Sequence, residues 1–105
     1  MKFTCIRENL ERVLAIAERF TGKNLTLPIL GNVLLEVRDN ILTVTATNLE
    51  YAVQLTISGN GGKDGTISVP AKIATALIQS MQDETIHLEE KGGSVWIKST
   101  TRAVR

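Results

Sequence analysis

The same apolar pattern occurs twice in this chain, at an offset of 64 residues in its leading part and 53 in its trailing part. Phe3 and Cys5 map onto Ile67 and Val69, and Leu10, Val13, Leu14 and Ala17 map onto Ala74, Leu77, Ile78 and Met81. Every counterpart is apolar. Further on, Leu42 and Val44 map onto Val95 and Ile97, and Asp39-Asn40 onto Gly92-Gly93. The drop from 64 to 53 shortens one connection of the second copy by 11 residues. A repeat of this kind means one supersecondary unit used twice, each copy burying what the other cannot bury alone.

Within the first copy, Phe3, Cys5 and Arg7 alternate with Lys2, Thr4 and Ile6, which reads as a short strand. From Glu8 to Phe20, Leu10, Val13, Leu14, Ala17 and Phe20 recur at spacings of three and four, the stripe of a helix that Gly22 ends. A loop with Lys23, Asn24 and Pro28 leads to strands at Ile29 to Arg38, Ile41 to Thr47 and Leu49 to Ile57, each of period two. Asp39-Asn40 has the chemistry of a hairpin turn. In the second copy a helix is expected from Pro70 to Met81, then a strand in which Ile86 and Leu88 alternate with Thr85, His87 and Glu89.

The copies span about 1–58 and 66–105, and the segment from Gly59 to Gly65 is expected to be a flexible connection. Tyr51 and Ala52 map onto Val104 and Arg105, so the second copy is expected to lose the end of its last strand. The predicted class is α+β: a duplicated β-α-β-β-β unit with two helices side by side on one face of a curved antiparallel sheet. Strands at the sheet margins stay open to pairing with another chain.

A chain of 105 residues with 43% apolar and 22% charged residues fits one domain with one core. The single cysteine, Cys5, can form no internal bridge, which points to a reducing compartment, the cytoplasm. The longest apolar run, Val13 to Ala17, is far short of the ~20 residues that cross a bilayer. Arg7 and Glu8 interrupt the N-terminus before an apolar stretch of signal-peptide length can form. Twelve basic residues against eleven acidic ones give a net charge of +1, which argues against a free-standing binder that depends on neutralising phosphates.

Several linked motifs carry a specific resemblance. Met1-Lys2-Phe3-Thr4, the run from Leu27 through Pro28 to Glu36, Leu42 with Thr47-Asn48-Leu49-Glu50, and Val69-Pro70-Ala71-Lys72 resemble the N-terminal domain of the bacterial DNA sliding clamp, the beta subunit of DNA polymerase III. The resemblance covers nearly the whole chain in order and spacing. It implies a DNA clamp fold whose helices line the hole of a ring and whose sheets form its outer wall. It further implies a head-to-tail homodimer of three-domain chains that encircles duplex DNA, slides on it and holds the replicative polymerase. Contacts with polymerase and clamp loader would lie in later domains. A closed ring needs only weak, non-specific contacts, which reconciles the function with a charge near zero.

The resemblance places Lys23 and Asn24 in a loop near the duplex, although Asn24 stands where the family often carries arginine. Lys72, Thr75, Gln79 and Gln82 form a polar stripe on the second helix that would face the hole; the alternative for each lysine is an ordinary solvated side chain. Arg12 and Arg19 are candidates on the first helix, set against a solvated-face reading because Glu8, Glu11 and Glu18 share that side and Glu8 with Arg12 makes an i, i+4 pair. Arg102 and Arg105 fall near the region that docks a neighbouring subunit in the family, against an ordinary exposed edge.

His87 has no second histidine or cysteine to complete a metal site and reads as a surface residue. Cys5, in phase with Phe3, reads as a small core residue, and Trp96 either covers the open side of the sheet or sits in an interface. The glycines from Gly59 to Gly65 lack phosphate-loop spacing, and Asp64 after Lys63 would repel phosphate. With no catalytic constellation and no cofactor motif, the chain reads as a non-enzyme. The competing reading is a small stand-alone interaction module that uses an exposed sheet edge.

Overall fold

A computed structural model describes residues 1–21, 31–48 and 50–99. In chain order the elements are β1 (Lys2–Ile6), α1 (Arg7–Glu18), β2 (Asn32–Arg38), β3 (Ile41–Thr47), β4 (Ala52–Ser58), β5 (Asn60–Lys63), β6 (Gly65–Pro70), α2 (Ala71–Ser80), β7 (Thr85–Lys91) and β8 (Ser94–Ser99). The α+β class follows the apolar periodicity, with a β-α-β-β-β order in the first copy and β-α-β-β among the described residues of the second. Hydrogen bonding sorts the strands into two antiparallel sheets, β5-β1-β7-β8 and β4-β3-β2-β6.

Each copy lends its first strand to the sheet of the other. Leu35 pairs with Ile67 in the β2–β6 ladder, and their counterparts Leu88 and Phe3 pair in the β7–β1 ladder. Val33 with Val69 corresponds in the same way to Ile86 with Cys5. The hairpins agree as well, since Leu35 opposite Val44 is repeated by Leu88 opposite Ile97. Asp39 and Gly92 take matching positive φ angles of 57° and 56°, and Gly93 at 84° completes the two-residue turn of the second hairpin.

Both first strands run straight into their helices, through Ile6 and its counterpart Pro70, without a side-chain cap. The Arg7 N–H instead donates to the Glu84 carbonyl at 2.7 Å. The first helix begins at Arg7 rather than Glu8 and ends at Glu18. Beyond it Phe20 and Thr21 N–H groups reach back three residues, a tightened last turn that needs no glycine. The second helix is one residue shorter than expected at each end, and β4 starts at Ala52, leaving Tyr51 exposed before it. The expected strand start at Ile29, the helix stop at Gly22 and the unfinished last strand lie outside the described residues.

The stretch from Gly59 to Gly65 is not a free connection: β5 within it pairs with β1, Lys2 opposite Lys63 and Thr4 opposite Asn60. Its glycines answer to crowding. A Cβ on Gly61 would stand 2.3 Å from the Asp39 carbonyl oxygen, and one on Gly59 2.4 Å from that of Thr4. Asn40 fixes the approach by accepting from the N–H groups of Gly59 through its carbonyl and Gly61 through its Oδ1, both at 3.0 Å.

The core lies between the helices and the sheets. Phe3, Leu10, Leu42, Ile78, Ile86 and Val33 are its largest fully buried side chains, and α1 packs against α2 and β4. Counterparts are not all equally buried: Val13 is 4% exposed and Leu77 45%, and the buried Leu42 and Val44 correspond to half-buried Val95 and Ile97.

Candidate nucleic-acid interface

The outward side of the two helices brings together part of the expected set. Lys72 and Gln79 are exposed on α2 two turns apart, and Gln82 is exposed just past its end. Thr75 does not belong with them: it is 3% exposed, and its hydroxyl has no partner among the described residues. At position 75 the stripe turns into the core, because the neighbours Ala71, Ala74 and Ile78 define the buried side of this helix.

Arg12 is exposed on α1 and makes no ion pair among the described residues. The i, i+4 pair on this helix is Arg7 with Glu11, not Glu8 with Arg12. Arg7 is held there by a second contact, its Nε donating to the Asp83 carbonyl at 2.9 Å. Among the described residues Arg12 is thus a cation with no acid paired to it, although Glu8 and Glu18 remain on the same helix. Lys23, Asn24, Arg102 and Arg105 lie outside the described residues.

Lys72 occupies an electrostatically unfavourable place. It sits in the first turn of α2, where the exposed backbone N–H groups carry partial positive charge, and that turn contains no acidic residue. A cation here opposes the helix dipole by a few tenths of a kcal/mol. It also leaves a site where ammonium and helix terminus both favour an anion.

The opposite surface of the β5-β1-β7-β8 sheet is also charged, and spacing in the sequence does not reveal it. Glu89 forms ion pairs with the ammonium groups of Lys2, Lys91 and Lys98, each at 3.6 Å. Partial burial works against its charge, but the pull of Lys91, Lys2 and Lys98 and a hydrogen bond from Lys2 outweigh it and hold the carboxyl below its ordinary value. Lys91 also lies over the ring of Trp96, its Nζ 5.8 Å from the centroid. Trp96 is half exposed on the outer face and directly opposite Glu89. Lys2 joins this cluster only through the exchange of first strands.

His87 is half-buried and its Nδ1 is hydrogen-bonded to Thr4 Oγ1 at 2.8 Å across the β1–β7 ladder. Cys5 is buried in the core, and burial pushes its thiol up to about 11, so it stays protonated at neutral pH. No helix among the described residues is long and apolar enough to cross a membrane.

Similar solved structures include bacterial clamps. The DNA polymerase sliding clamp of Pseudomonas aeruginosa superposes with a TM-score of 0.87 at 28% identity, covering 98% of this chain and 28% of that one. The Helicobacter pylori beta clamp bound to a DNA ligase peptide gives 0.89 at 26% identity, covering 94% of this chain and 28% of that one. The fold is thus that of one domain of a DNA clamp. A family model for the DNA polymerase III beta subunit, N-terminal domain, matches residues 1–104, and the chain belongs to that family. The beta sliding clamp of Vibrio harveyi is 38% identical over 87 residues, which are 82% of this chain and 60% of that protein. That of Vibrio cholerae is 36% identical over 88 residues, 82% of this chain and 24% of that protein. The chain thus spans less than two thirds of the Vibrio harveyi protein and about a quarter of the Vibrio cholerae one.

Proposed function

We propose that this chain acts as the N-terminal domain of a ring-shaped sliding clamp that encircles duplex DNA and confers processivity on the replicative polymerase. The observation that carries this reading is the family match over residues 1–104, on a fold in which two copies exchange their first strands. Lys72, Gln79 and Arg12 contact the duplex from the helix side, joined by Lys23 and Asn24, and Arg102 and Arg105 serve the contact between subunits. Lys72 supports this part directly, since a cation placed against its own helix dipole costs stability and calls for a compensating anion such as phosphate. The duplex contacts are non-specific, because sequence readout needs side chains paired bidentately with base edges.

In this reading the domain is one of three per subunit in a head-to-tail homodimer, works in the cytoplasm and performs no catalysis. Polymerase and clamp loader engage the later domains. The hallmark of such a ring is topological. An antibody against residues 1–105 recovers from source cells the polypeptide that carries them, which is then loaded on nicked circular DNA with its loader. Retention that ends when the circle is cut is the expected result. Retention indifferent to cutting overturns the proposal.

A further inference from the structure

The strand order of the β5-β1-β7-β8 sheet gathers cations on its outer face. Two rows cross that face: Trp96 opposite Glu89 opposite Lys2, and Lys98 opposite His87 opposite Thr4. Lys63 stands opposite Lys2 on β5, and Lys91 follows Glu89 on the same side of β7. Four of the chain's twelve basic residues and one of its eleven acidic ones are placed there, so the face carries +3 and the rest of the chain −2. The acids at its margins are engaged elsewhere. Glu90, of opposite phase, accepts from the Gly93 N–H at 2.9 Å, and Asp64 from the Asp39 N–H at 3.0 Å. Lys2, Lys91 and Lys98, with three donors each, converge on the Glu89 carboxylate, which leaves the face with an excess of donors.

A hollow of about 250 Å³ opens on this face, bordered by Lys2, Thr4, His87, Glu89 and Lys98. Trp96 stands beside it, two residues from Lys98 on β8 and so about 7 Å away, and is 52% exposed. A strand paired with the edge of β8 lies beside the indole in the plane of the sheet, not over it. Cations and a flat π-surface are therefore separated by the span between a nucleotide's phosphate and its base. An acidic peptide meets the ammonium groups and leaves the indole without a partner. A duplex meets them too, but keeps its base faces stacked on one another. A single strand supplies an anion and an open π-face in each repeating unit.

We propose that the outer face of this sheet binds single-stranded nucleic acid, with a phosphate held between Lys2 and Lys98 and the adjoining base stacked on Trp96. Glu89 opposes the phosphate, so the binding is weak and strongest at low ionic strength. The site does not depend on the clamp reading, which assigns duplex DNA to the helix side.

Trp96 is the chain's one tryptophan and reports on its own face. Oligothymidylate of about eight nucleotides is titrated into the 105-residue protein at low salt. Saturable quenching of Trp96 emission at one oligonucleotide per chain is expected, with none from a duplex of equal length. Variants are compared by the anisotropy of labelled oligonucleotide. Lys98→Gln should lower the slope of log affinity against log salt by about 0.7. Trp96→Ala should weaken binding by about fivefold or more and keep the slope. Both side chains are at least half exposed, so circular dichroism should match the parent. No quenching by the single strand overturns the site. Equal quenching by the duplex, or full affinity in Trp96→Ala, overturns the stacking. A change in Trp96 emission caused by polyglutamate or by phosphatidylglycerol vesicles, and not by the oligonucleotide, overturns the occupant and assigns the face to an acidic protein or to a membrane surface.

Discussion

Glu89 stands directly opposite Lys2 in the β1–β7 ladder, its Oε2 3.6 Å from the lysine Nζ, and the same carboxylate also faces Lys91 and Lys98. This cluster joins the N-terminal strand of one copy to the hairpin of the other. Its contribution depends on pH with a fixed sign. The folded-state value of the carboxyl is depressed, so the stabilisation is complete above the unfolded glutamate value of about 4.3 and is lost as pH falls through the lower folded value. Glu89→Gln should therefore be less stable than the parent in urea unfolding at pH 7, and the gap should shrink as pH falls below the unfolded glutamate value. A gap of equal size above and below that value would show that the carboxylate charge is not what stabilises the strand exchange.

Gly61 predicts a backbone cost. Alanine there puts a Cβ 2.3 Å from the Asp39 carbonyl oxygen, which only movement of the backbone relieves, whereas among the described residues nothing stands within 4 Å of a Cβ on Gly31. Gly61→Ala is expected to destabilise by about 2 kcal/mol or more, and Gly31→Ala to stay within about 0.5 kcal/mol. Equal effects at the two positions in chemical denaturation would mean that β5 is not held against the Asp39 turn.

These two positions also show what the sequence hides. Helices and hairpins were legible because their periods, 3.6 and two, are local properties of Leu10 to Ala17 or of Leu42 to Ala46. Alternation cannot name a strand's partner, so the pairing of Phe3 with Leu88 instead of a neighbour in its own copy appeared only in the fold. The glycines of β5 looked like a linker because the carbonyls that forbid a side chain are distant in sequence. At the candidate interface, Lys72 and Gln79 were legible from spacing. Thr75 was not, since a β-branched hydroxyl serves equally well on either side of a helix.

Thr75 offers a test of its own. Its buried hydroxyl has no partner among the described residues, and an unsatisfied buried group costs about 1–3 kcal/mol. Thr75→Val keeps the shape and removes the oxygen. Thermal unfolding should show the valine variant more stable by about 1 kcal/mol. A loss of stability would reveal a hydrogen bond to the hydroxyl and return Thr75 to the polar side of the argument.

Lys72 separates function from structure, because its two roles move in opposite directions. Removing its charge relieves the unfavourable contact with the first turn of α2, so Lys72→Gln should match or exceed the parent in thermal stability by a few tenths of a kcal/mol. If the lysine contacts phosphate, the same change weakens association of the loaded ring with DNA, and the slope of log affinity against log salt falls by about 1. A variant that loses both stability and affinity has been damaged structurally. One that gains stability and keeps the full salt slope removes Lys72 from the interface and leaves Arg12 and the 23–24 loop to supply the contact. A gain in stability with a reduced slope fits only a cation held against its own helix by the need to meet an anion.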